Sequence, residues 1–121
     1  MLLGLPAEQI EVHLLSKGNT VHSEEERQKM TSHKPSYVFV IDMGSRSGPP
    51  VVDGEHTALI IDHHHATESD FPENSEHVSA CHSPPVATSS LLTYELCEPL
   101  HPEVRDRCAW LCIVSIHSKG L

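Results

Sequence analysis

Two short apolar runs, each ending in an aspartate, constrain this chain more than any other feature. Tyr37-Val38-Phe39-Val40-Ile41 leads directly into Asp42-Met43-Gly44-Ser45, and Ala58-Leu59-Ile60-Ile61 leads directly into Asp62-His63-His64-His65. Continuous apolar stretches of this length, rich in β-branched residues, fit strands buried on both faces, which is the pattern of a parallel sheet. In an open α/β sheet, ligands and metals gather at the carboxyl ends of the strands, where side chains leave a rigid core for a crevice. Asp42, Asp62 and the imidazoles beside Asp62 therefore belong to one predicted site.

The remaining segments alternate between strand-like and helix-like patterns, so the expected class is α/β, a parallel sheet with helices on both faces. Met1 to Pro6 reads as the tail of a helix stopped by Gly4 and Pro6, and Ile10 to Leu15 as a first strand. Ser23 with Glu26 three residues on forms a capping box, which starts a helix whose Glu24, Glu25 and Glu26 are expected to be a solvated first turn. Pro35 ends that helix. Ser45 to Pro50 is too rich in Gly and Pro to be regular; Arg46 stands there within reach of a phosphate, although an exposed loop arginine is the commoner case. Thr67 to Ser75 is polar and irregular, and His77 to Cys81 is a short strand at the sheet edge. A helix opens at Pro84 or Pro85, marks one face with Ala87, Leu91 and Tyr94, and stops at Glu98-Pro99. The last helix begins near His101-Pro102 and carries Val104, Cys108, Leu111, Cys112 and Ser115 on one side, with Trp110 packing beside them.

Size and composition bound the rest. A chain of 121 residues suits one small domain, and a hydrophobic fraction of 38% implies a thin core. The formal net charge of −9 excludes an extensive nucleic-acid surface, since phosphate backbones are bound chiefly by Lys and Arg. A metal site could still hold phosphate, because the cation supplies the local positive charge. Of the 11 histidines only His63 and His64 have ligand context. Cys81, Cys97, Cys108 and Cys112 lack any Cys-x-x-Cys pair and read as buried free thiols rather than a zinc ribbon. No signal peptide, membrane span or lipidation motif is visible, and the expected setting is intracellular, in the cytoplasm.

From about Ile10 to about Leu111 the sequence resembles the DHH phosphoesterase superfamily, which includes RecJ-type nucleases, manganese pyrophosphatases, prune-like exopolyphosphatases and oligoribonucleases. Asp42, in Val-Ile-Asp-Met-Gly, is similar to the family's second motif, Asp62-His63-His64 to its third, and Ser83 to Ser90 to the stretch that follows. Two motifs are missing. No His-x-Asp-x-Asp loop lies upstream of the first strand, and Val114 to Leu121 carries no carboxylate where the fourth motif is expected. The resemblance thus implies a partial DHH domain over residues 1–121, without the first and fourth motifs or the carboxy-terminal substrate domain.

The resemblance implies hydrolysis of a phosphoester or phosphoanhydride by a two-metal mechanism. Asp42 would be the bridging ligand, His63 a metal ligand, Asp62 a metal-site carboxylate orienting His63, and His64 the catalytic imidazole facing the substrate phosphate. Mn²⁺ suits the mixed imidazole and carboxylate set, with Mg²⁺, Co²⁺ and Zn²⁺ as alternatives. The expected partner is a small phosphate-containing substrate or a short oligonucleotide, with no membrane. With half of the motifs absent, weak or no activity is expected. The alternative is a noncatalytic metal- or protein-binding module derived from such an enzyme. A sheet lacking outer elements is also expected to self-associate.

Overall fold

The computed structural model describes residues 4–79 and 88–118. Helix α1 spans Glu24–Ser32, followed by strands β1 (Tyr37–Ile41), β2 (Thr57–Ile61) and β3 (Ser75–Val78), then helices α2 (Ser89–Cys97) and α3 (Val104–Ser118). The strands form one parallel sheet in the order β1-β2-β3. The protein is therefore α/β, built on a small parallel sheet.

The register explains where the core sits. Val38 pairs with Ala58 and Val40 with Ile60, so these four share one face of the sheet. Val40, Ala58 and Ile60 pack there with Val21 and Val51, and Met30 of α1 and Phe71 close the cluster. Ile60 is wholly inaccessible; full burial of such a side chain contributes about 1.5–3 kcal/mol. α1 is clamped onto this face from its polar side. Arg27 Nε donates to the Pro50 carbonyl at 2.9 Å, its Nη2 meets Asp53 Oδ1 at 2.5 Å, and the Asp53 N–H donates to Thr31 Oγ1 at 3.0 Å.

Several expectations need correction. Ile10 to Leu15 is not a strand: it follows a 3₁₀ turn at Ala7–Gln9, has no ladder partner, and leaves Val12 and Leu14 largely exposed. β1 consequently forms one edge of the sheet, with Tyr37, Phe39 and Ile41 exposed on the side opposite Val40. The Ser23 capping box does not form. Ser23 Oγ instead accepts the Thr20 N–H, and Glu26 is not solvated but completely buried. Its Oε1 accepts from Ser16 N–H (2.9 Å) and Asn19 Nδ2 (2.8 Å), and its Oε2 from His13 Nε2 (2.7 Å). Thus the segment from His13 to Asn19 serves as a strap whose polar groups fasten to Glu26.

β3 begins at Ser75, two residues before the predicted start. Trp110 is exposed, its Nε1 donating to the Arg107 carbonyl, and Leu111 is exposed as well. Val104 is the one buried member of the predicted stripe among its described side chains, while Cys97 and Cys108 are free and only half-buried. Cys81, Pro84, Pro85 and Ala87 lie outside the described residues. α2 is capped by Thr88, whose hydroxyl accepts the Leu91 N–H at 3.2 Å.

Candidate metal centre

Because β1 and β2 are parallel and in register through Ile41↔Ile61, their next residues, Asp42 and Asp62, emerge side by side at the carboxyl edge of the sheet. The ladder holds both: Asp42 N–H donates to the Ile61 carbonyl at 2.8 Å, and Asp62 N–H to the Val78 carbonyl at 3.2 Å. The two carboxylates then diverge in environment. Asp42 is exposed, whereas Asp62 is buried.

Asp42 has a φ of +68°, in the left-handed region that few non-glycine residues adopt and aspartate tolerates better than most. Ser89, the buried first residue of α2, donates its hydroxyl to Asp42 Oδ1 at 2.9 Å and fixes that oxygen. Close behind, Gly44 has a φ of +101°, and a Cβ there would stand 3.1 Å from Ile60 Cγ2 and 3.2 Å from Val40 Cγ1. Only glycine meets both demands, so the Asp42-Met43-Gly44-Ser45 turn lies flat on the core.

Asp42, His63 and His64 form a cluster in which one donor atom from each lies within 4.8 Å of the others. His63 Nε2 is 3.1 Å from Asp42 Oδ1. That distance is not a hydrogen bond, since Nε2 is buried and has no hydrogen-bonding partner in an acceptable geometry. Two donors each about 2.1 Å from a shared ion, at right angles about it, stand about 3.0 Å apart. The buried Nε2 beside the Asp42 carboxylate, with His64 close by, is a donor set that could hold a divalent metal. The His63 and His64 rings lie with centroids 4.5 Å apart, tilted at 41°.

Asp62 is built to hold His64. Its Oδ1 accepts from His64 Nδ1 at 2.5 Å and from the His64 N–H at 3.3 Å; its Oδ2 accepts from Ser45 Oγ at 2.7 Å and the Ser45 N–H at 3.3 Å. Burial pushes this carboxyl up, but the bonds from Ser45 and from the His64 ring and backbone, with the His64 charge, outweigh it and hold the pKa below its ordinary value. Asp62 is thus a buried anion with both oxygens engaged.

The geometry corrects the residue pairing expected from sequence. Asp62 orients His64 rather than His63, and it stands outside the three-donor cluster that Asp42, His63 and His64 form. His64, expected to face substrate, is one of the donors. The described residues assemble one such cluster, where the two-metal expectation needed two. His65 is exposed and outside it. Ser45 and Ser89, which fasten the two aspartates, had no role assigned from sequence because a lone serine carries no periodic signal; Ser45 closes the turn after β1 and Ser89 lies within the Ser83 to Ser90 stretch.

A scan against family models, a search of curated proteins and a search of solved structures each return no match to this chain. Among the described residues no helix is long and apolar enough to cross a membrane.

Proposed function

We propose that the carboxyl edge of the sheet is a divalent-metal site of the DHH phosphoesterase type, with Asp42, His63 and His64 as ligands and a phosphate group of a small substrate as its target. The observation that carries this reading is the buried, unpartnered His63 Nε2 poised 3.1 Å from Asp42 Oδ1. A bound cation would polarise a phosphoryl oxygen and lower the pKa of a bound water. The chain's own residues do the rest of the positioning. Ser89 fixes the Asp42 carboxylate. The buried Asp62 carboxylate can only accept, so in the neutral imidazole the His64 proton sits on Nδ1 and Nε2 carries the lone pair open to metal or substrate. Mn²⁺ is the ion this donor set suits best within the family resemblance.

A second reading follows from the ligand count. Three donors furnish one ion, whereas a two-metal hydrolase needs about three per ion. A metal-binding module with weak or no hydrolysis by this chain is therefore the alternative. Calorimetric titration with Mn²⁺, with Asp42→Ala and His63→Ala as controls, tests the site. One ion bound per chain, lost in both variants, is expected; no binding by the folded chain would sink the proposal. Hydrolysis of pyrophosphate by the Mn²⁺-loaded chain then separates the two readings: turnover lost in Asp42→Ala supports the enzyme, and binding without turnover the module.

A further inference from the structure

A cavity of about 230 Å³ is lined by Thr20, His22, Ser23, Arg46, Ser47, Gly48 and Pro49. Its chemistry is one-sided. Thr20 Oγ1 accepts the His22 N–H at 3.2 Å and Ser23 Oγ accepts the Thr20 N–H at 2.9 Å, so each hydroxyl spends an acceptor position on the backbone and retains its own proton to donate. The Arg46 guanidinium makes no hydrogen bond or ion pair among the described residues, although the chain carries a formal charge of −9 and carboxylates outnumber cations two to one, 17 to 8. None of the lining residues is acidic. His22 adds a further polar wall: its Nε2 is buried without a hydrogen-bond partner, and burial, followed by the Arg46 charge, holds its pKa below 6.5.

The walls are fixed. Gly48 bridges to Pro72, its carbonyl accepts the Glu73 N–H at 2.9 Å, and a Cβ built on it would stand 3.7 Å from His22 Nδ1. Hydroxyl donors, a guanidinium fork without a carboxylate partner among the described residues, and room for several waters' volume describe a receptor for a tetrahedral oxyanion.

We propose that this cavity binds a phosphate group, with Arg46 as its charged anchor and the Thr20, Ser23 and Ser47 hydroxyls as the surrounding donors. The inference does not depend on the metal centre, since it draws on none of that site's ligands. It places a second anion-recognising position on the same Asp42-to-Pro50 loop that holds Asp62 through Ser45.

The test is an amide NMR titration of the full chain with inorganic phosphate in EDTA, so that no metal takes part. Saturable shifts at His22, Ser47 and Gly48 are expected in wild type and in Asp42→Asn, with affinity falling about tenfold or more in Arg46→Gln and less in Arg46→Lys. Arg46 is exposed, so both Arg46 variants should retain the wild-type spectrum outside the cavity. Absence of saturation by about 10 mM phosphate, weaker than any useful site, would overturn the proposal. So would shifts unchanged in Arg46→Gln, which would place phosphate away from the Arg46 guanidinium.

Discussion

Asp62 Oδ1 and His64 Nδ1 are 2.5 Å apart, a hydrogen bond between a buried carboxylate and a half-exposed imidazole two residues further on. The bond fixes both the ring orientation and its tautomer, and support of this kind typically changes metal affinity 10–100-fold when removed. Asp62→Asn keeps the side-chain volume but loses the charge, so Mn²⁺ affinity should fall by about that factor. Ser45→Ala removes only the 2.7 Å bond to Asp62 Oδ2 and should have a smaller effect in the same direction. Calorimetry on the two variants checks the order, and wild-type affinity in Asp62→Asn would show that His64 needs no such support.

Asp42 combines an unfavourable backbone with the ligand role proposed for it. Asparagine tolerates the left-handed region as well as aspartate does and preserves an oxygen for Ser89, so Asp42→Asn should leave stability within about 0.5 kcal/mol of wild type. The charge, however, is lost, and with it the carboxylate ligand. Thermal melts should therefore superimpose in EDTA, and only the wild-type melt should rise on adding Mn²⁺. A Mn²⁺-induced rise of equal size in Asp42→Asn would remove Asp42 from the ligand set.

What the sequence disclosed and what it hid divide along a physical line. The run ending in Asp62 was legible because burial in a parallel sheet imposes continuous hydrophobicity, the run ending in Asp42 is equally apolar although β1 leaves Tyr37, Phe39 and Ile41 exposed, and the parallel register brings their ends together. The half of the site that depends on side-chain direction was not. Whether Asp62 meets His63 or His64 turns on the backbone path just after β2, and the grip of Ser89 on Asp42 spans 47 positions. Ile10 to Leu15 misled because alternating polarity is a local property, whereas a strand needs a partner; here His13 and Ser16 found Glu26 instead. The same event buried a glutamate that its neighbours Glu24 and Glu25, both exposed, gave every reason to leave in water.

Gly44 is the tightest point beneath the candidate centre. Alanine there would carry a φ near +101° and press its Cβ against Ile60 and Val40, both buried and surrounded by the core. Backbone strain and overpacking act together, so Gly44→Ala should cost about 1–3 kcal/mol. Because the turn also bears Asp42 and Ser45, the loss of stability should come with weaker Mn²⁺ binding. Urea denaturation measures the first effect and calorimetry the second; a Gly44→Ala protein as stable as wild type would mean that the turn can lift from Ile60 without penalty.

Glu26 makes the fold sensitive to acid. Donation from Asn19, then from the Ser16 N–H and from His13, lowers its pKa from 4.5 to about 2, with burial opposing and the Lys29 charge assisting. A carboxyl depressed in the folded state contributes stability that is present above its unfolded value and is lost as pH falls through the folded one. For Glu26 the window runs from about pH 4.5 down to about pH 2. Glutamine retains the shape but presents an N–H to donors that already point inward, so Glu26→Gln should melt at a lower temperature than wild type at pH 7. Its melting temperature should also depend less steeply on pH below 4.5, where the wild type gives up this contribution. The segment from His13 to Asn19 has its shortest side-chain anchors to α1 in this carboxylate, so proteolysis in that segment should rise in the variant before the sheet unfolds. Parallel acid profiles for the two proteins would show instead that the His13, Ser16 and Asn19 contacts persist without the charge.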